Sequence, residues 1–433
     1  MQEKPIELEE KPLINVPPKK RTVFFIILYL LFLVDFISRV GINAIFPVIQ
    51  EDLSLSDTEV GMMGSIVLLG MAVFVLPVSF WGEKHSPKKA ITLSAFIWSI
   101  GSILSGMANS FGLLLMSRFF VGTGNSAYAP LSNSMITSMY CKGQWGKKIG
   151  FYNTAMTLGT ALGALVFANL ANSFGWRVAF YAVGIVSLLL TAASLALPDV
   201  KKYLKEQQIE ATTNNDANKV SIKQALLVIG KNKALLGVCL GAGFASLVSQ
   251  GILSWLSIYF VREMSMSISA AASLISVLAL GMAFAYPLGG AIMDRWYVKN
   301  KLSRMYLPII CLIIGVVCFL AGFRFKLIPV IFVGSFILTL ANTSYHVATQ
   351  ELVPSWFKSV SYGVYVLSIQ LLGAVGPLLI GSLSEAFGLI NALSISQMLL
   401  VLVVIIFAIT SRVYLKDFEK ARKMEHEAGI GNQ

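Results

Sequence analysis

Long apolar runs separated by short polar segments make up most of the chain. A helix rises about 1.5 Å per residue, so a run of about 20 apolar residues crosses the roughly 30 Å hydrocarbon core of a bilayer. Twelve such runs occur, at about 22–49, 59–82, 90–108, 112–140, 149–171, 178–197, 233–261, 268–293, 304–323, 327–350, 357–384 and 388–411. The pattern predicts an all-α membrane protein with 12 transmembrane helices.

A polar stretch at 198–232 divides the twelve spans into six and six. The two sets share a similar segment, because LGALVFANLANSFG at 162–175 aligns with VGPLLIGSLSEAFG at 375–388. We therefore expect two pseudo-symmetric six-helix bundles, and parallel repeats of this kind place a substrate site between the halves near the midplane. The predicted order is a cytoplasmic N-terminal segment (1–21), an N-terminal bundle (22–197), a cytoplasmic linker (198–232), a C-terminal bundle (233–411) and a cytoplasmic tail (412–433).

Composition excludes several function classes. The chain is 56% hydrophobic and 13% charged, whereas a soluble domain carries about 25% charged residues. A soluble enzyme, a disordered regulator and a secreted disulfide scaffold are therefore excluded. The sequence has no GxxxxGK[ST] phosphate loop, and its four cysteines and three histidines show no metal-ligand spacing. We expect no enzymatic activity, no metal and no cofactor.

The charges indicate a topology. The net charge of +12 comes from 34 Lys and Arg against 22 Asp and Glu residues. Of the 34 basic residues, 28 fall in the termini and in the loops on one side of the predicted bilayer, and four fall on the other side. Positive residues collect on the cytoplasmic side, so both termini are predicted to be cytoplasmic in a cell (inner or plasma) membrane. We expect the protein to contact the lipid bilayer and to bind no nucleic acid.

Two motifs resemble the major facilitator superfamily. The loop after the eighth span reads GAIMDRWYVK at 290–299, which matches the superfamily's Gly-xxx-Asp-Arg-xxx-Arg/Lys pattern, and a degenerate copy lies at 79–89. The fourth span contains the Arg-xxx-Gly-x-Gly pattern at 118–124. The resemblance implies the major facilitator fold. It also implies a charged latch that stabilises the outward-facing state, formed by Glu83, Lys84, Lys88, Asp294, Arg295 and Lys299.

The first and seventh spans resemble particular branches of this superfamily. SRVGINAIFP at 38–47 is similar to the first helix of the anion:cation symporters, which carry sugar acids and other organic anions. GILSWLSIYF at 251–260 is similar to a stretch that these symporters share with the organophosphate antiporters. The chain departs from the symporter pattern at Ser38, Asn125 and Ser257, where the symporters have Asp, Glu and Pro.

Three formal charges lie deep in the predicted spans: Asp35, Arg39 and Arg118. Charges inside the membrane are costly and usually functional. One carboxylate and two guanidiniums sum to +1, which favours a small anionic substrate, because Arg presents a fork suited to carboxylate or phosphate oxygens. We expect Arg39 to bind the substrate and Asp35 to carry a proton, with Arg118 setting the protonation of Asp35. A static Asp–Arg pair that fixes helix packing is the alternative.

Neutral polar residues in the spans complete the predicted site. His346 is a candidate second proton site, since histidine titrates near neutral pH. The other predicted substrate ligands are Asn125, Tyr128, Gln250, Trp255, Tyr259, Asn342, Tyr345, Tyr365 and Gln370. Each of these residues could instead hydrogen-bond between helices. The methionines are expected to face lipid or fill the core.

Together these features predict a secondary active transporter that moves a small organic anion, a carboxylate or sugar acid, with protons by alternating access. We expect it to be a monomer. Three alternatives remain open from the sequence. They are an exporter of drugs or amphipathic lipids, an organophosphate exchanger, and a transporter-like sensor that does not transport.

Overall fold

A computed structural model describes residues 12, 14, 16–199, 230–354 and 357–427. Within these residues the chain forms helices and no strand. The first half contains α1 (Pro18–Val40), α2 (Phe46–Asp52), α3 (Asp57–Lys84), α4 (Pro87–Gly106), α5 (Phe111–Asn125), α6 (Tyr128–Met139), α7 (Lys142–Phe174) and α8 (Trp176–Ser194). The second half contains α9 (Lys233–Ile258), α10 (Ile268–Tyr297), α11 (Ser303–Arg324), α12 (Ile328–Glu351), α13 (Lys358–Phe387) and α14 (Leu389–Glu427). Most of the predicted linker and of the N-terminal segment lies outside the described residues.

Eleven helical segments of the described chain are long and apolar enough to cross a membrane. The remaining predicted span, the fourth, consists of α5 and α6, which are 15 and 12 residues long and are separated at 126–127. Pro130 explains this break, because a proline lacks the amide hydrogen and its ring collides with the carbonyl four residues earlier, at Ser126. The predicted all-α membrane fold with two six-helix bundles is confirmed.

The first span is also interrupted. A 3-10 turn at Gly41–Ile45 separates α1 from α2. Pro47 follows the turn, and its missing amide hydrogen would otherwise pair with the carbonyl of Asn43 in a continuous α-helix. The break leaves carbonyl groups of the last turn of α1 free for partners from other helices. Arg39 lies in that last turn.

The two halves pack tightly along a seam between α3 and α13. We call the end that carries the Lys- and Arg-rich loops 83–89 and 294–304 the basic end, and the opposite end the far end. A Cβ atom at Gly61 would lie 2.5 Å from the carbonyl oxygen of Pro377, and one at Gly381 would lie 2.5 Å from that of Asp57. Only glycine permits so close an approach of two backbones. The seam therefore closes the far end by direct helix contact.

Charged groups reinforce the closure of the far end. Arg262, in the π-helical turn that follows α9, donates to both carboxylate oxygens of Asp57 at 2.8 Å. Asp57 also accepts hydrogen bonds from Ser384 of α13 and from Gln50 of α2. We call Asp57, Arg262, Gln50 and Ser384 the far-end clamp. It ties the start of α3 to two helices of the other half.

Candidate functional site

A cavity of about 260 Å³ lies between the two halves. Helices α1, α3, α5 and α7 line it from the first half, and α9 and α10 line it from the second. Among the residues predicted from sequence, Arg39, Arg118 and Gln250 line this cavity. Neutral polar residues that sequence reasoning missed also line it: Asn43, Thr157, Thr160, Ser254 and Tyr286.

Arg39 lies at the wall of the cavity with few hydrogen-bond acceptors around it. Its guanidinium carbon is 4.1 Å from the centre of the Phe36 ring, and its Nη1 is 3.2 Å from the sulfur of Met71. A thioether is a weak acceptor, and the buried Nε of Arg39 has no hydrogen-bond partner. Arg39 therefore has strong donors that an oxyanion could satisfy.

Arg118 is fully buried and touches the end of α1. It donates to the carbonyl oxygens of Ser38 and Arg39 at 3.5 and 3.4 Å. These carbonyls belong to the turn that the 3-10 break leaves open. Its Nε has no partner, and its guanidinium carbon lies 5.9 Å from the ring of Phe180. Arg118 thus fixes the backbone that carries Arg39.

Asp35 does not pair with Arg118 as the sequence analysis expected. Asp35 is 3% exposed, and its Oδ1 has no hydrogen-bond partner. Arg39 is the cation in electrostatic contact with it, whereas Arg118 is engaged by main-chain carbonyls. The physical reason is the broken helix, because its free carbonyls offer Arg118 acceptors closer than the carboxylate. Any influence of Arg118 on Asp35 acts through the position of Arg39.

A buried polar cluster surrounds Asp35 within the first half. Tyr128 and Tyr152 are both fully buried and lie in electrostatic contact with Asp35. Tyr152 stacks on Phe32 with ring centres 4.5 Å apart, one turn from Asp35 along α1. The hydroxyls of Tyr152 and Ser132 lie near each other and near that of Tyr128, but neither has a hydrogen-bond partner with good geometry in the described chain. Buried polar atoms normally find partners or ordered water, so this cluster has capacity for water or a proton.

Two further predicted ligands of the first half lie outside the cavity lining. Tyr128 donates to the carbonyl of Leu28 at 2.9 Å, so its hydroxyl ties α6 to α1. Asn125 is 4% exposed, and both atoms of its amide lack a partner in the described chain. Its position two turns from Arg118 on α5 puts it on the same helix face. Asn125 therefore belongs with the buried polar atoms behind the cavity.

Three predicted ligands of the second half hold helices together. Trp255 donates to the carbonyl of Pro377 at 2.9 Å, and Tyr259 donates to that of Phe323 at 3.1 Å. Both side chains are fully buried. Tyr345 is 3% exposed and stacks on Phe407 with ring centres 5.2 Å apart. None of the three lines the cavity described above, because each side chain points into the packing between helices of its own half.

Two predicted residues of the second half lie close behind the cavity. Asn342 is within hydrogen-bonding reach of Tyr286, which lines the cavity. Gln370 lies 3.7 Å from the sulfur of Met71, the same sulfur that Arg39 contacts. Both can therefore influence the cavity through a neighbour.

His346 lies in a different place from the predicted anion site. It lines a second cavity of about 280 Å³ at the basic end, together with Lys358 of α13 and Arg422 of α14. Its ring centre is 4.9 Å from that of Tyr365, another predicted ligand, which is 3% exposed. His346 and Tyr365 form a separate aromatic group rather than a wall of the central cavity.

The predicted latch residues lie at the basic end. Asp294 has a side chain that is 71% exposed, and its described ion pair is with Arg304 of its own half, at 3.7 Å. Arg304 itself is nearly buried and forms two short bonds with Glu351, at 2.6 and 2.7 Å. Arg295, Lys299 and Lys84 are exposed. The list of predicted latch residues omitted Arg304 and Glu351, although both stand in the sequence at span ends.

Two six-helix bundles that enclose a central cavity with buried charges define a polytopic membrane transporter. The chain belongs to the Major Facilitator Superfamily, whose sequence profile matches residues 28–377. This family assignment confirms that the protein is a transporter and not an enzyme.

Comparisons with individual proteins agree with the family. The "Hexuronate transporter" of Bacillus subtilis (strain 168) is 24% identical over 382 residues, which cover 86% of this chain and 89% of that protein. The "Probable L-galactonate transporter" of Escherichia coli (strain K12) is 23% identical over 304 residues, covering 69% and 67%. The crystal structure of a bacterial homolog to the human lysosomal transporter Spinster, inward-facing and unoccupied, superposes with a TM-score of 0.82 at 22% identity, covering 93% of this chain and 99% of that one.

Proposed function

We propose that the protein is a proton-coupled symporter of a small organic anion, which it moves across a cell membrane by alternating access. The observation that carries this proposal is Arg39, whose guanidinium lies at the central cavity with an unpartnered Nε. An unpaired buried guanidinium is unfavourable unless an anion or water completes it. Arg118 adds a second positive charge beside it.

The relatives support an anionic substrate. The two proteins named above are called hexuronate and L-galactonate transporters, and both names denote carboxylates. A carboxylate offers two oxygens to the guanidinium fork. We infer the same chemical class for this chain because Arg39 supplies a donor for it at the cavity.

Asp35 is the proposed proton carrier. It is buried, lies in electrostatic contact with Arg39, and accepts no hydrogen bond at Oδ1. When an anion binds Arg39, it competes with Asp35 for the positive charge, and a carboxyl group without a nearby cation more readily takes up a proton. Binding of the anion and binding of the proton then favour each other.

The proposed membrane orientation assigns a state to this conformation. With the basic end in the cytoplasm, the closed far end faces outward, so this conformation is closed to the outside. Transport then requires the far-end clamp to open, and Asp294 and its neighbours would form the latch at the basic end in the outward-facing state. Such rocking of two bundles about a central site is the usual mode in transporters built from repeats.

A thermal-shift screen of the purified protein tests the proposal. The ligands are sugar acids, monocarboxylates, phosphorylated sugars and hydrophobic cations. We expect a carboxylate to stabilise the wild-type protein and an Arg324→Ala control, whose substituted arginine is exposed. We expect Arg39→Ala to lower the affinity by about 10- to 100-fold, since hydrogen bonds to charged groups contribute about 1.5–3 kcal/mol.

Stabilisation by hydrophobic cations instead of anions would contradict the proposal. If they stabilise wild type and Arg39→Ala equally while no anion binds, the anion proposal fails and an exporter of cationic compounds takes its place. Stabilisation by phosphorylated sugars alone would point instead to organophosphate exchange.

A further inference from the structure

The walls of the central cavity are mostly apolar. Thirteen of the twenty-two residues that line it have apolar side chains. Met63 of α3, Met156 of α7 and Met282 of α10 each contribute a flexible thioether. The expectation that methionines face lipid or fill the core is therefore incomplete. Methionine adapts its shape to a ligand and favours apolar contacts.

One helix supplies a continuous apolar stripe. Ile275, Leu278, Ala279 and Met282 of α10 line the cavity, with spacings of three and four residues that put them on one helix face. Seven residues separate the first from the last, which corresponds to about 10 Å along the helix. Tyr286 continues the same face toward the basic end. The stripe can contact an extended apolar body over this length.

Polar groups are too few for a sugar acid with many hydroxyls. Two of the six neutral polar side chains that line the cavity already have protein partners: Thr160 donates to the carbonyl of Met156 at 2.9 Å, and Tyr286 lies within reach of Asn342. A hydroxyl carries one donor and two acceptor sites. Four neutral polar side chains, those of Asn43, Thr157, Gln250 and Ser254, then remain for the five hydroxyls of a hexonate, among thirteen apolar lining residues. Hydroxyls buried against apolar side chains without a partner are unfavourable.

Apart from the charged residues Asp35 and Arg118, the side chains described in contact with Arg39 are weakly polar or apolar. The ring of Phe36 covers the guanidinium, and the sulfur of Met71 is the partner of its Nη1. A ligand whose single charge meets Arg39 would thus leave its remaining atoms among apolar side chains.

We propose that the cavity binds an amphipathic monoanion, meaning one carboxylate on a medium-chain apolar body, in preference to a polyhydroxylated sugar acid. The carboxylate binds Arg39, and the apolar body lies along the α10 stripe. This inference rests on the proposed function and specifies its substrate class. It gives this chain a substrate class different from the sugar acids in the names of its relatives.

The test compares three ligands of the protein in lipid nanodiscs. Octanoate has the charge and the apolar body, D-galactonate has the charge with hydroxyls, and 1-octanol has the body without the charge. We expect octanoate to bind about tenfold or more tightly than either of the others, since each missing interaction class contributes at least about 1.4 kcal/mol, a factor of ten. Subtracting the signal of nanodiscs without protein removes the contribution of partitioning into the bilayer.

A matched pair of variants locates the apolar body. Met282→Gln keeps the side-chain length but places an amide in the stripe, and we expect it to weaken octanoate binding severalfold without weakening D-galactonate binding. Met398→Gln makes the same change on α14, where the side chain is 55% exposed in this chain, and we expect it to leave both affinities unchanged.

Three outcomes would overturn the inference. D-galactonate could bind at least as tightly as octanoate in an Arg39-dependent manner, which would leave the proposed anion transport intact. Octanol could match octanoate, which would show that the charge is not used. Binding of hydrophobic cations irrespective of Arg39, with no anion bound, would remove both the inference and the proposed function. The order of affinities of octanoate, D-galactonate and 1-octanol on the wild-type protein tests the inference even if a variant fails to fold.

Discussion

The two halves of the molecule share one architecture but differ in where their buried charged residues lie. The first half places Asp35, Arg39 and Arg118 deep in the bundle, and two of them are almost fully buried. The residues by which the second half lines the central cavity are all neutral, Gln250 and Tyr286 among them. Its strongest buried ion pair, Arg304 with Glu351, lies at the basic end.

This difference indicates a division of roles. Two bundles that rock against each other change the contacts between them but keep those within each bundle. A charge network confined to the first half can therefore stay intact through the cycle, while the second half supplies the apolar wall. The predictions below test this division.

We expect the largest effect to be a difference in proton-driven uptake between a variant of Asp35 and a variant of His346. If coupling resides in the first half, Asp35→Asn in proteoliposomes should abolish uptake driven by an inward proton gradient, because the amide cannot exchange a proton. We expect a loss of at least about 100-fold in initial rate, which is the lower end of the range for a positioned proton-transfer group. His346→Gln should keep the gradient-driven uptake within about twofold, and a loss as large as that of Asp35→Asn would reverse the assignment.

The next effect concerns the ion pair of the second half. Arg304→Ala should lower the free energy of unfolding by about 3 kcal/mol, because it removes the cation from Glu351, which is largely buried and keeps the hydroxyl of Tyr414 as a neutral partner. The melting temperature in detergent measures this change. Anion affinity should stay unchanged in the folded fraction, and a parallel loss of affinity would mean that the basic end contributes to the site.

A smaller effect is expected from the far-end clamp. Asp57→Asn removes the charge that Arg262 pairs with, and since the arginine side chain is 39% exposed we discount the pair to about 1–2 kcal/mol. That change shifts the balance of states toward opening of the far end. Ser254 faces Gly64 of the seam, so Ser254→Cys places a thiol there without adding a side-chain carbon. Labelling of this cysteine by a membrane-impermeant reagent should become faster by a comparable factor in the Asp57→Asn background. An unchanged labelling rate would show that helix packing alone keeps the far end shut.

The smallest expected effect is on stability, and it tests whether Trp255 packs helices together or binds the substrate. Trp255→Phe removes the hydrogen bond to the carbonyl of Pro377 and should cost about 1 kcal/mol of stability. The Kd for the anion should not move. A change in Kd larger than the change in stability would return Trp255 to the list of ligands.

Much of the fold follows from local physics. The spans follow from apolar length, and the breaks in the first and fourth spans are consistent with the positions of Pro47 and Pro130. Arg39 and Arg118 were both selected from the sequence as charges inside spans, and Arg118 donates to the main-chain carbonyl of Arg39 near the end of α1.

The rotation of each helix could not be predicted in the same way. Trp255 and Gln250 lie on one helix, yet Gln250 lines the cavity whereas Trp255 faces α13. Which face of a wholly apolar helix turns inward depends on packing against neighbours distant in sequence. The pair of Asp57 and Arg262 joins residues 205 positions apart and reads in the sequence as two unrelated charges near loops. The spacing of Ile275, Leu278, Ala279 and Met282 was a signal available in the sequence.

The buried charges also set an electrical balance. With Asp35 ionised, Asp35, Arg39 and Arg118 sum to +1, and one monoanion together with one proton on Asp35 leaves the sum at +1. Under the proposed coupling the empty and loaded forms then carry equal charge across the bilayer, and a membrane voltage, worth about 2.3 kcal/mol per charge per 100 mV, drives neither step of the cycle. Accumulation would follow the pH difference alone, about tenfold per unit, and would persist in a cell whose membrane potential has collapsed.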